Sequence, residues 1–241
     1  MMLSAHICDL DLRTASRVLR RPPKPAEVPG LQYAETVVTA PLSGRLLPSP
    51  RLRPVAMIAA WANDEAFADF SAGHPVGQQL APGWQVRLQP LHVYGKWPGL
   101  SGLPEGEIKV GDEEPVAVLT LGRPRVHRLP AFLKASARAE AEAVANPNVL
   151  ALIGLARPPR LVATFSLWRD VGAMRDYARG HSNGAHPAAT KTDRANPFHH
   201  DSAFIRFRPY ASRGNWDGRD PLAFDGGEAR LGSRQARTQG A

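Results

Sequence analysis

The sequence holds a single cysteine, Cys8, among 241 residues, which excludes an internal disulfide framework and any zinc site built from several thiolates. It has no long hydrophobic run. Stretches such as 55–61 fall far short of the roughly 20 apolar residues that a membrane-spanning helix needs. The start, MMLSAHICDLDL, lacks both the basic flank and the apolar stretch of a secretion signal, so a cytoplasmic location is expected. Acidic residues are in deficit, 22 against 30 Lys and Arg, for a formal net charge of +8. The excess is mostly Arg and is scattered rather than gathered into a basic helical stripe, so no nucleic-acid partner is expected. Also missing are a GxSxG elbow and a phosphate-binding loop. The glycine-rich GLSGLPEG at 99–106 lacks the strand-to-helix context of a dinucleotide fingerprint and reads as a linker.

What the sequence does have is a repeat. VRLQPLHVYGKWPG (86–99) and IRFRPYASRGNWDG (205–218) align without a gap, matching Arg87 to Arg206, Pro90 to Pro209, Gly95 to Gly214, Trp97 to Trp216 and Gly99 to Gly218. Upstream, VAMIAAWANDEAFADFSAGH (55–74) sits beside VATFSLWRDVGAMRDYARGH (162–181), with Trp61 facing Trp168 and His74 facing His181. Such spacing indicates a duplicated unit. Two tandem units follow, 1–110 and 111–221, with a tail at 222–241 that is expected to be disordered.

Alternation predicts strands at 6–12, 31–39, 55–61 and 84–91 in the first unit and at 116–121, 149–156, 161–168 and 202–207 in the second. Helices are predicted at 14–20, from Asn63 or Asp64 to Phe70, from Pro130 to about Asn146, and from Asp170 to Ala178. Each unit therefore reads β-α-β-β-α-β, the ferredoxin-like order, and the fold class is α+β. An antiparallel sheet with both helices on one face leaves its other face bare. Burying the two bare faces against each other closes an intramolecular dimeric α+β barrel, whose interior can hold a ligand because the strands alternate inward and outward residues.

GLQYAETVVTA, NPNVLALIGLARPPRLVATFSLW, YARG…AHPAATKTDR and RFRPYASRGNW together resemble the spheroidene monooxygenase family, over roughly residues 5–220. The resemblance implies a dimeric α+β barrel and a haem-dependent monooxygenase, of the EC 1.14 class, that inserts oxygen from dioxygen into a lipophilic metabolite. It further implies haem b as cofactor, an external electron donor such as ferredoxin as redox partner, and a monomer or homodimer with peripheral membrane contact possible.

Haem iron takes an axial donor, most often a neutral imidazole, and its propionates take cations, for which the planar Arg fork is apt. In the family's matching segment the histidine followed by basic residues is here His186, with Lys191 and Arg194 downstream, and His181 is the alternate ligand. Arg45, Arg51 and Arg53 in the first loop, Arg157 and Arg160 in the second, and Arg194 are candidate propionate partners. Arg87, Arg206, Trp97 and Trp216 recur at matching positions and read as architecture. Trp61 and Trp168 are expected to pack under the helices, Phe165 to sit in the core or line the pocket, and Cys8 to fill core space. The pair His199-His200 reads as a solvated loop, because adjacent residues on a strand face opposite sides. Two other readings remain open: a cofactor-free monooxygenase or cyclase on the same barrel, and a non-catalytic ligand-binding barrel.

Overall fold

The structure, a computed structural model, describes residues 1–40, 51–104, 106–179 and 197–223. The first half of the chain runs β1 (Met2–Cys8), α1 (Leu12–Arg20), β2 (Leu31–Ala40), β3 (Arg51–Trp61), α2 (Asp64–Gly73), α3 (Pro75–Leu80) and β4 (Trp84–Gly95). The second runs β5 (Val116–Pro124), α4 (Leu129–Val144), β6 (Val149–Arg157), β7 (Leu161–Trp168), α5 (Val171–Arg179) and β8 (His199–Arg213). The eight strands close into a wholly antiparallel barrel in the order β1-β3-β2-β6-β7-β5-β8-β4. Each half thus contributes four adjacent strands, β4-β1-β3-β2 and β8-β5-β7-β6, and the halves meet at two seams. The fold is the expected α+β barrel.

The seams carry the signature of the repeat. Along β4–β8, exchanging every residue for its repeat counterpart turns the pair Arg87–Ala211 into His92–Arg206 and the pair Gln85–Arg213 into Tyr94–Phe204. Gln89–Arg208 maps onto itself, and a register shift flanks it on either side. A pseudo-twofold axis therefore passes through that pair. Gly95 and Gly214 have φ of 81° and 85°. A Cβ on either would stand 2.2 Å from a backbone carbonyl oxygen of the facing strand segment, Ser202 for Gly95 and Gly83 for Gly214. Only glycine tolerates both the backbone and the approach. The opposite seam is short, pairing Val38 with Ala156, Thr39 with Leu155 and Ala40 with Gly154.

Inward-facing side chains pack the barrel solid. Leu3, Ile7, Val37, Ile58, Trp84, Leu88, Leu119, Phe165, Ile205 and Phe207 form one buried cluster. At about 1.5–3 kcal/mol for each large apolar side chain removed from water, this interior is the chief source of stability. The loops after β4 and β8 close its ends, with Leu100, Leu103 and Trp216 buried in the same cluster. Among the described residues the inward positions carry mainly aliphatic and aromatic side chains, with alanines such as Ala5, Ala56 and Ala117 between them.

Local signals explain most element ends. Asn63 and Asp170, repeat counterparts, cap α2 and α5 by accepting from the amides of Ala66 (2.9 Å) and Ala173 (2.6 Å). Asp11 does the same for α1, accepting from Arg13 and Thr14, and so ends the first strand at Cys8 rather than at residue 12. The sequence reading missed α3, which His74 caps by accepting from Val76 NH at 3.1 Å, with Pro75 in its first turn. It also cut β8 short. His199 and His200 belong to that strand, not to a loop, because Pro124 of β5 extends the pairing to His199. The predicted tail lies outside the described residues from 224 onward.

Candidate functional site

The outer faces of the two four-stranded sheets differ. In the first half, α1–α3 cover the sheet around Trp61, whose indole N–H donates to Ser4 Oγ at 2.9 Å, with Val18, Phe67, Phe70 and Leu80 packed on it. His6, Met57, Ala59 and Val55 on this face are all buried. Cross-strand registers give each of these a counterpart in the second half: Thr120, Thr164, Ser166 and Val162. Thr120, in the middle of β5, is exposed, and Thr164, Val162 and Leu152 are only half-buried. The apolar packing of this half gathers at one end, where Trp168, Val116, Val118, Val171 and Met174 cluster and Tyr177 stacks on Trp168 at 5.0 Å. α5 rests on β7, whereas α4 reaches the sheet chiefly along β6. Tyr177 Oη donates to the carbonyl of Ala139 at 2.9 Å and ties the two helices together. Among the described residues this part of the face is left open, a shallow cleft floored by hydroxyl and aliphatic side chains, Thr120, Thr164, Val162 and Leu152, with no carboxylate among them.

At one end of this floor the His199 ring lies over Gly122. A Cβ there would stand 2.6 Å from His199 Nε2, and Phe132 of α4 meets the ring edge-on at 4.8 Å. Its Nε2 is buried. Among the described residues no group of three or more His, Cys, Asp or Glu forms a metal site.

The sequence-predicted ligands His186 and His181, and the cations Arg194 and Arg45, lie outside the described residues, as does Lys191. Residues 180–196 follow directly on α5, the helix beside the cleft. Arg53, like Arg51, stands in β3, a strand of the first half. Arg157 is engaged with Glu35, its Nη1 donating to Oε2 at 2.7 Å. Arg87 and Arg206 hold Asp64 (3.0 Å) and Glu107 (2.6 Å), as suits architectural residues. That hydrogen bond and charge from Arg206 draw the Glu107 carboxyl below its ordinary range. Cys8 is buried, and desolvation raises its thiol pKa, so it is core filler rather than a thiolate donor. Phe165 is a core residue as well.

Two further cavities flank the short β2–β6 seam, one at each mouth of the barrel. One, of about 260 Å³, lies among Leu150–Ile153, Trp216 and Arg219. Its pseudo-symmetric mate, of about 350 Å³, lies among Tyr33, Glu35, Trp97, Arg123, Arg160 and Leu161. The sequence reading passed over Tyr33 and Glu35. The signal was their inward phase: residues 33, 35 and 37 share one side of β2, and Val37 is core.

A 182-residue stretch is 31% identical to spheroidene monooxygenase of Rhodobacter capsulatus, covering 73% of this chain and 75% of that protein. The chain belongs to the spheroidene monooxygenase family. The corresponding protein of Cereibacter sphaeroides is 28% identical over 181 residues, 73% of this chain but 55% of the longer relative. No protein-family model matches the chain. A solved structure of an aldoxime dehydratase, in complex with butyraldoxime, superposes over 86% of this chain and 79% of its own, with a TM-score of 0.48 and 10% identity. Family membership makes the chain a monooxygenase, an oxidoreductase on an α+β barrel. Among the described residues no helix is long and apolar enough to cross a membrane.

Proposed function

We propose that this chain is a haem-dependent monooxygenase that hydroxylates or ketonises a lipophilic, polyene-like metabolite, and that its reaction site is the cleft on the outer face of the second sheet. The monooxygenase reading rests on the family relationship, and the choice of this cleft is supported by the exposed Thr120 at the centre of a sheet whose counterpart in the first half is sealed. A floor of Thr120, Thr164, Val162 and Leu152 suits a flat apolar group. It offers hydroxyls for orientation and no fixed charge that would have to be desolvated.

In this reading His186, with His181 the alternate, would hold the haem iron, and both belong to the segment that follows α5 in sequence. Arg194 and Arg45 would be the cations for the propionates, whereas Arg53 stands on β3 of the first half, with β2 between it and this sheet. Haem b, when bound, supplies oxygen activation with electrons from an external donor such as ferredoxin. The chain's own part is to hold the group against the sheet, to exclude water with α4 and α5, and to present the apolar substrate beside it. The protein acts in the cytoplasm, as a monomer or homodimer, without nucleic acid.

The test is an absorption spectrum of protein expressed with haem supply, for the native chain and for His186→Ala. The expected result is a Soret band that shifts with carbon monoxide after reduction and weakens in the variant. A band unchanged in His186→Ala moves the ligand to His181. No band after addition of haemin overturns the haem reading and leaves the cofactor-free barrel enzyme.

A further inference from the structure

The two mouth cavities are related by the pseudo-twofold axis, yet they are built from different residues. Tyr33 and Glu35 in the larger correspond, by their places opposite β3, to Ala151 and Ile153 opposite β7 in the smaller. Apolar side chains therefore suffice for the architecture at these two strand positions. The larger mouth instead holds an ion pair, Glu35–Arg157, with both side chains about one quarter exposed. Drawing two charges partly out of water is a poor source of stability, so the pair is not accounted for by the fold alone.

The polar groups of this mouth leave a specific remainder. Trp97 Nε1 donates to Tyr33 Oη at 3.0 Å, so the phenol accepts there and keeps its own proton to give. Among the described residues that proton has no acceptor. Burial raises the Tyr33 pKa well above its ordinary value, which keeps the phenol a donor. Glu35 is neutralised by Arg157, and Arg123 is paired with Asp201 at 3.2 Å. Arg160 lines the same cavity, is exposed, and has no carboxylate partner among the described residues. The site thus presents two aromatic side chains, one hydroxyl donor and one uncompensated guanidinium. Its volume of about 350 Å³ falls at the lower end of small-molecule pockets.

We propose that this mouth is a binding site for a small aromatic monocarboxylate, with its ring against Tyr33 and Trp97 and its carboxylate held by Arg160 and the Tyr33 hydroxyl. The single excess positive charge selects a monoanion over a polyanion, because Glu35 already stands in the cavity. This lining shares no residue with the floor of the outer cleft, so the proposal does not depend on the cofactor reading.

Isothermal titration with 2-naphthoate, on full-length protein without added haem, tests it. The expected result is saturable one-to-one binding, weakened about tenfold or more in Arg160→Ala, an exposed substitution that leaves the fold intact by circular dichroism. The neutral analogue naphthalene-2-methanol should bind about tenfold more weakly than the acid. Glu35→Gln should bind the acid more tightly, since it frees Arg157. Absence of saturable binding overturns the proposal, as does equal affinity in Arg160→Ala or for the neutral analogue, or weaker binding in Glu35→Gln. Displacement of naphthoate by stoichiometric haemin also overturns it, by making the mouth part of a haem site.

Discussion

The two halves of this barrel share a strand order, capping residues and the glycines of their common seam, but they treat their outer faces in opposite ways. The first sheet is covered by three helices, and its central outward residue, His6, is 1% exposed. The corresponding residue of the second, Thr120, is in solvent. After duplication one copy has kept the task of being a core, and the other is free to hold something. The position of a site in such a fold is read from the copy whose hydrophobic cover is incomplete.

This contrast can be broken at single positions. Trp61→Ala, in the sealed half, should lower unfolding stability by about 3–5 kcal/mol in urea denaturation, because a close-packed pocket is left empty and Ser4 loses a donor. A loss below about 1 kcal/mol would mean that the first face is not a core.

His6 gives a pH test confined to the same half. Burial first, and then the charge of Arg213, lower its pKa from 6.5 to about 4. The unfolded chain therefore takes up this proton earlier as pH falls. The stability tied to neutral His6 is complete above about pH 6.5 and is lost progressively toward pH 4, on the order of 3 kcal/mol. Thermal unfolding across that window should show a shallower acid slope in His6→Gln than in the native chain. An unchanged slope would place the acid sensitivity elsewhere.

The smallest effect on stability is expected at Thr120. Thr120→Phe should change unfolding free energy by no more than about 0.5 kcal/mol, as at any open surface position. It should nevertheless fill the cleft and weaken haemin uptake about tenfold or more in a Soret titration. A large stability change would show that the second face is as closed as the first.

Much of this was legible in the sequence. Strand β7 falls at its predicted limits, Leu161–Trp168, because alternation runs unbroken between a tight RPPR turn and the capping Asp170. The caps, the duplicated tryptophans and the strand order were legible for the same reason, since each is a local pattern repeated twice. Less legible were features set by long-range packing. His199 looked like a loop residue until its pairing with Pro124 placed it in β8. The filled interior was hidden because an inward-facing Leu or Phe reads alike whether it lines a cavity or closes one. Thr120 carries no unusual chemistry, and the cleft is marked by its exposure, with no helix over it among the described residues. Glu35 was the exception. A carboxylate in phase with core residues was visible in the sequence, and its meaning came from the facing Arg157.

The β4–β8 seam has a consequence for assembly. Each strand carries the same bulges, the same glycine at its end and the same register rule, so either half's edge is a template for the other's. Recognition between the halves is therefore encoded in the strands, while the stretch from 96 to 115 both tethers and closes: Leu100 and Leu103 enter the core and Glu107 holds Arg206. In the language of tethered binding, its length sets an effective concentration, and only its residues without such contacts can drift freely.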